Sequence, residues 1–230
     1  MGSLYELYDL TFEYPNNVKA LDKISLVIDD APLLILGHNG SGKTTLLKLL
    51  ALLIKPKEGK IIFEGKDLSQ FSNSEILAIR RSISYIPQKV STFNGTLYNE
   101  VAYGLKVRGI KDFDGKVKSA LKVVGLESLE KRMAKALSGG QARRLAIARA
   151  LALDTKVLLF DEPTSELDID SYNRIVEVIL KEAKEGKKVI VATNDLIFAQ
   201  RLNFKSLLLS QGKIVFEGKL RELMKFFERV

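Results

Sequence analysis

The chain has 230 residues, 46% of them hydrophobic, with one histidine, no cysteine, and 36 Lys and Arg against 28 Asp and Glu for a net charge of +8. Such a length buries a core without cross-links; the lack of cysteine excludes disulfide frameworks, thiolate nucleophiles and Cys-based zinc sites, and the lone His38 excludes a His-rich metal centre. The basic surplus could serve nucleic acid or an anionic membrane face, but it is spread along the chain and not blocked into a tail, so it reads as solvated surface and no nucleic-acid partner is expected.

The first residues carry acids and no basic stretch ahead of an apolar core, so no secretory signal is expected. Residues 4–12 and 24–28 alternate in hydropathy and predict half-buried antiparallel strands, separated by the turn signal Tyr14-Pro15-Asn16-Asn17. Residues 33–36 predict a short buried strand, and residues 42–54 an apolar helix. Its apolar run, interrupted by Lys48, is too short to cross a membrane, which takes roughly 20 such residues. Residues 61–63 and 82–86 predict strands, the second ended by Pro87. Between residues 97 and 137 the pattern turns helical, with Val117, Ala120, Leu121 and Val124 on one face and Gly125 as a stop, which predicts a separate helical lobe.

Next come a helix over 139–153, a buried strand over 157–160, and a helix whose apolar face is drawn by Ile169, Tyr172, Ile175, Val176, Ile179 and Leu180. A strand over 189–192, a hairpin of 207–209 and 214–216 around Gln211-Gly212, and a helix over 220–227 complete the series. Strands alternating with helices imply an α/β fold with a mainly parallel sheet.

Three segments carry chemistry. Gly37-His38-Asn39-Gly40-Ser41-Gly42-Lys43-Thr44 fits the phosphate-loop pattern GxxxxGK[ST], and it lies between a predicted strand and a predicted helix. Glycines let the backbone wrap a polyphosphate while the amides and dipole of the helix start point at it. Lys43 reaches the β and γ phosphates and the Thr44 hydroxyl can ligate Mg2+, whereas His38 occupies a variable position of the pattern and reads as a spectator. Residues 157–162, VLLFDE, form an apolar strand ending in two carboxylates. Asp161 can orient Mg2+ and Glu162 can take a proton from an attacking water; a helix cap is the alternative reading. Ser138-Gly139-Gly140-Gln141 is a second small-residue turn opening a helix, either another anion-binding helix start or an ordinary N-cap by Ser138.

Taken in order, these segments resemble the ATP-binding-cassette (ABC) family over nearly the whole chain. GHNGSGKTT, ending at Thr45, is similar to its Walker A loop, SYIPQ to the segment ending in its Q-loop glutamine (Gln88), LSGGQ to its signature, VLLFDEP to its Walker B, and SELD to its D-loop. The resemblance implies a P-loop NTPase core, an N-terminal antiparallel β subdomain and an inserted α-helical subdomain over residues 89–137. Residues 1–88 and 138–230 then supply the core and the β subdomain. It also implies ATP and Mg2+ as ligands, with Lys43, Gln88, Glu162 and Asn194 in catalysis and Thr44, Gln88 and Asp161 at the metal.

The same resemblance implies a head-to-tail dimer of like or related subunits. In it Ser138, Gly139, Gly140 and Gln141 act on the neighbour's nucleotide, Asp168 faces the neighbour's phosphates, and Tyr14 stacks on adenine; a tyrosine packed on the core is the alternative for Tyr14. Two segments depart from the pattern. Asn194 stands where the family usually has a switch histidine, and Asp30-Ala31-Pro32 lacks the usual Gly-Glu turn.

The implied function is an ATPase that energises separate membrane-spanning permease subunits from the cytoplasmic face of the membrane. Residues 95–109, GTLYNEVAYGLKVRG, resemble importers of small polar solutes, with a leaning towards oxyanions. A soluble cassette acting on nucleic acid or the ribosome, and a low-turnover nucleotide-binding regulator, are the alternatives.

Overall fold

The computed structural model describes residues 2–29, 32–165 and 167–227. In chain order the elements are β1 (Tyr5–Glu13), β2 (Lys19–Ile28), β3 (Leu33–Leu36), α1 (Lys43–Leu50), β4 (Glu58–Phe63), β5 (Lys66–Asp67), α2 (Asn73–Arg80), β6 (Ile83–Ile86) and α3 (Leu97–Val107). They continue with α4 (Asp114–Val123), α5 (Gly139–Ala152), β7 (Val157–Asp161), α6 (Ile169–Lys184), β8 (Lys188–Thr193), α7 (Leu196–Leu202), β9 (Lys205–Ser210), β10 (Lys213–Lys219) and α8 (Leu220–Phe227).

Strands β10, β9, β3, β8, β7 and β6 form one sheet in that order; β9 to β6 are parallel and β10 pairs antiparallel at the edge. The continuous apolar runs of β3 and β7 are what a sheet covered on both faces requires. Leu34, Leu36, Leu158 and Phe160 pack among the helices of one layer, while Leu33, Ile35, Val157 and Leu159 face α1 and a second, antiparallel sheet of order β2-β1-β4-β5. This is the predicted α/β architecture: a mainly parallel sheet, a β layer from the first strands, and the helices α3 and α4, which lie between β6 and α5 in sequence and pack against α5. The parallel strands end together, so the segments after β3, β6, β7 and β8 meet at one edge.

Several elements differ from the sequence expectation. The first helix stops at Leu50 and not near residue 54, because Leu52 turns left-handed (φ 57°) and the Leu53 amide reaches back to the Lys48 carbonyl, a helix stop reinforced by Pro56. On α6 the buried apolar residues are Ile175, Val176, Val178 and Ile179, whereas Ile169 is 78% exposed and Leu180 lies at the surface. Ile169 is the first helical residue, next to the cap Asp168, and so sits beyond the packed face. The span 97–137 is two helices followed by 3-10 turns, with Gly125 (φ 67°) closing α4 as expected. Helices α2 and α7 were not expected. The Gln211-Gly212 turn has both residues left-handed, which suits a two-residue hairpin. Of the two unusual segments noted above, Asp30 and Ala31 lie outside the described residues, as does Glu166 of SELD.

Candidate functional site

The loop between β3 and α1 is built into the junction of the two sheets. Gly42 takes φ 106°, and a Cβ there would lie 2.5 Å from the Ala20 carbonyl oxygen of β2, so glycine is required for both reasons. On the other flank the hairpin turn reaches in: the Gly212 amide donates to the Ser41 carbonyl (3.0 Å), and the Gly212 carbonyl accepts from the Asp22 amide (2.9 Å). No side chain caps α1, which leaves its first amides aimed at the loop's concavity.

That concavity is a pocket of about 360 Å³ lined by the loop residues Asn39, Gly40, Ser41, Gly42, Lys43, Thr44 and Thr45, together with Tyr14, Gln88 and Glu162. Seven consecutive loop residues thus converge with Tyr14, Gln88 and Glu162 from distant segments, while Gly37 and His38 are not among the lining residues. Lys43 is 6% exposed; its ammonium donates to the Gly37 and His38 carbonyls (2.8 and 3.1 Å) and lies 3.1 Å from Glu162 Oε1. A cation this buried needs such partners. His38 thus contributes its carbonyl while the residue itself is exposed. The Tyr14 hydroxyl is hydrogen-bonded with Thr45 Oγ1 at 3.0 Å, which fixes the ring at the mouth of the pocket.

Asp161, the last residue of β7, is 1% exposed. Its Oδ1 accepts from Thr44 Oγ1 (3.0 Å) and its Oδ2 from the Tyr85 hydroxyl (2.8 Å). Burial, together with the Asp161 charge, pushes the Tyr85 phenol well above its ordinary pKa, so it stays protonated and remains a donor. Glu162 follows in the left-handed region (φ 45°), a conformation uncommon for a residue with a side chain. Its amide donates to the Ala192 carbonyl of β8 (2.8 Å), and its Oε2 accepts from the Asn194 amide (3.1 Å). The Asn194 side chain donates to Asn39 Oδ1 (3.0 Å), joining the end of β8 to the phosphate loop.

The second glycine turn sits elsewhere. Ser138 caps α5 reciprocally with Gln141, accepting from its amide (3.3 Å) while Gln141 Oε1 accepts from the Ser138 amide (3.1 Å). Ser138 and Gly139 are exposed, and none of residues 138–141 lines the phosphate-loop pocket. Gly140 is instead tucked against the start of α6, where Asp168 accepts from the Ser171 amide and hydroxyl (2.8 and 2.9 Å). Those bonds hold the Asp168 carboxyl below its usual range.

Two site residues escaped the sequence reading. Tyr85 pairs with Leu159, one side-chain repeat before Asp161, so only the register of β6 on β7 reveals it. Arg143 on α5 donates to the Pro87 carbonyl (2.8 Å) and to Ser165 Oγ (3.2 Å), whose hydroxyl in turn donates to the Glu162 carbonyl (3.3 Å). No local pattern marks it.

The family model described as ABC transporter matches residues 21–165, and the chain belongs to that family. A protein of Caldanaerobacter subterraneus, named as an ABC transporter ATP-binding protein, is 37% identical over 227 residues; the match covers 96% of this chain and 39% of that protein. The phosphate import ATP-binding protein PstB 2 of Natronomonas pharaonis is 38% identical over 210 residues, covering 86% of this chain and 74% of the relative. Among solved structures, the dimeric cassette MJ0796 in a post-hydrolysis state bound to ADP and Pi matches with TM-score 0.85 and 30% identity, covering 94% of this chain and 99% of that one.

Proposed function

We propose that this chain hydrolyses Mg-ATP and thereby energises a membrane importer of a small polar solute or oxyanion, with residues 89–137 as a helical subdomain on a nucleotide-binding core. The observation that carries the hydrolytic reading is the convergence of the Thr44–Asp161 contact (3.0 Å) and the Lys43–Glu162 pair (3.1 Å) at one phosphate-loop pocket. Ser41 Oγ is buried with no hydrogen-bond partner among the described residues, an orphan that a phosphate oxygen would satisfy. Thr44, Asp161 and Gln88 offer hard oxygen donors of the kind Mg2+ takes alongside nucleotide phosphates. The cation, when bound, supplies charge neutralisation at the phosphate oxygens.

In this reading the loop amides and Lys43 hold the β and γ phosphates, and Tyr14, at the mouth of the pocket, stacks on adenine. Glu162, fixed by the Asn194 amide, accepts a proton from the attacking water. The exposed Ser138 and Gly139, with Gly140, Gln141 and Asp168, would close on the neighbour's nucleotide in a head-to-tail dimer; their place outside this chain's own pocket supports that, as does the dimeric state named for MJ0796.

Transport is supported by the family and by the import function named for PstB 2, whose solute is an oxyanion. No helix among the described residues is long and apolar enough to cross a membrane; in this reading the passage itself falls to membrane-spanning permease subunits, with this chain peripheral at the cytoplasmic face. A groove of about 280 Å³ beside the Q-loop segment, with Phe93 and Tyr103 about half exposed and Glu100 and Arg149 also in its lining, is a candidate seat for such a partner.

Glu162→Gln is expected to keep nucleotide binding and lose roughly 10² to 10⁴ in hydrolysis rate; phosphate release and an ATP titration measure the two separately. Equal hydrolysis would remove Glu162 from catalysis. Affinity purification from membranes tests the transport half: integral membrane subunits support it, and ribosomes or DNA in their place overturn it. A low-turnover regulator is the second reading, favoured by Asn194 in place of a histidine. Wild-type protein that binds Mg-ATP but releases no phosphate even with its permease would select it.

A further inference from the structure

Asp161 is a buried carboxylate whose two oxygens are held by different parts of the chain. Thr44 of the phosphate loop donates to Oδ1, and Tyr85, at the end of the neighbouring strand, donates to Oδ2. A carboxylate held at one oxygen can still rotate about its terminal torsion, which is broad and two-fold. The second bond removes that freedom. Tyr85 is suited to the task because its own ring is constrained: it sits on β6 in register with Leu159 and packs partly against the core under α1.

We propose that Tyr85 is a positioning residue of the magnesium site, its hydroxyl fixing the Asp161 carboxylate so that Oδ1 is turned towards Thr44 and the cation. This rests on the reading of the pocket as a Mg-ATP site. Partners behind metal-binding carboxylates commonly govern metal affinity, by 10- to 100-fold when lost. Thr44 still holds Asp161 after Tyr85 is changed, which places the effect at the lower end.

Tyr85→Phe keeps the ring and deletes only the donor. ATP affinity is measured with excess Mg2+ and again with EDTA, and the ratio of the two is the metal's contribution. Tyr85→Phe is expected to cut that ratio about tenfold while leaving the EDTA affinity within about twofold, and to raise the Mg2+ concentration for half-maximal hydrolysis. An unchanged ratio, or an equal loss with and without metal, overturns the proposal. In an Asp161→Asn background the same substitution is expected to change the ratio less than about twofold, since Tyr85 acts through Asp161; additive losses also overturn it. If wild-type protein itself binds ATP equally well with Mg2+ and with EDTA, the Mg-ATP reading fails, a result distinct from an unchanged Tyr85→Phe ratio.

Discussion

Asn194 makes two different bonds, and they separate on mutation. Its backbone amide holds Glu162 Oε2, a contact any residue but proline preserves, while its side chain reaches Asn39. An asparagine amide donates a hydrogen bond but carries no charge. Asn194→His would place an ionisable donor at the same spot, and a charge-assisted bond to phosphate is about twice as strong as a neutral one. Turnover is therefore expected to rise on the order of tenfold. The gain should be larger at about pH 6 than at about pH 8, since histidine protonates near 6.5. Unchanged or lower turnover contradicts this account of the substitution.

At this scale the phosphate loop and the two carboxylates were legible because each is a short run with a fixed chemical meaning, whereas Gln88 entered only through the family resemblance. Tyr85 was not, because its partner is 76 residues away and a strand register joins them. The left-handed backbone of Glu162 was equally hidden, since nothing in the letters DE distinguishes it from an ordinary strand end.

Helices α5 and α6 meet at their first turns with almost no space between them. A methyl group on Gly140 would lie 2.5 Å from Ser171 Oγ and 2.7 Å from Asp168 Oδ2, two atoms bonded to each other beside the cap bond from the Ser171 amide to Asp168 Oδ1. Neither can retreat without disturbing the bond between them and the carboxylate that caps α6. Gly140→Ala is expected to cost about 1–3 kcal/mol, lowering Tm by roughly 3–10 °C in a thermal melt. Gly139→Ala is the control: a Cβ there has no neighbour within 4 Å and should shift Tm by far less. Equal shifts would mean that the contact carries no strain.

The elements themselves were legible in proportion to their burial. Strands β3, β7 and β8 carry unbroken apolar runs, Leu33–Leu36, Val157–Phe160 and Val189–Ala192, and stood out. Helix α2 buries none of its residues and was missed, although Ser72 and Glu75 spell a capping box in the sequence. Helix α7 is a single short stretch of seven residues behind the Asp195 cap, too brief for periodicity to register.

For the molecule as a whole, the proposed head-to-tail dimer, in which Ser138 and Gly139 close on the neighbour's nucleotide, makes association depend on bound nucleotide. Glu162→Gln with Mg-ATP, unable to turn over, is expected to sediment as a dimer, and the same protein without nucleotide as a monomer. A monomer under both conditions would leave Ser138 to its capping role alone. The mixed architecture was legible at this scale from alternating strands and helices, but not the junction of the two sheets, which depends on turns far apart in sequence.

That junction bears on synthesis. Every motif from Tyr14 to Asn194 leaves the ribosome before the hairpin turn at Gly212, yet the phosphate loop leans on that turn through the Ser41 carbonyl. A growing chain can therefore carry all the recognisable letters of the phosphate loop and still lack the bond by which the hairpin turn braces it.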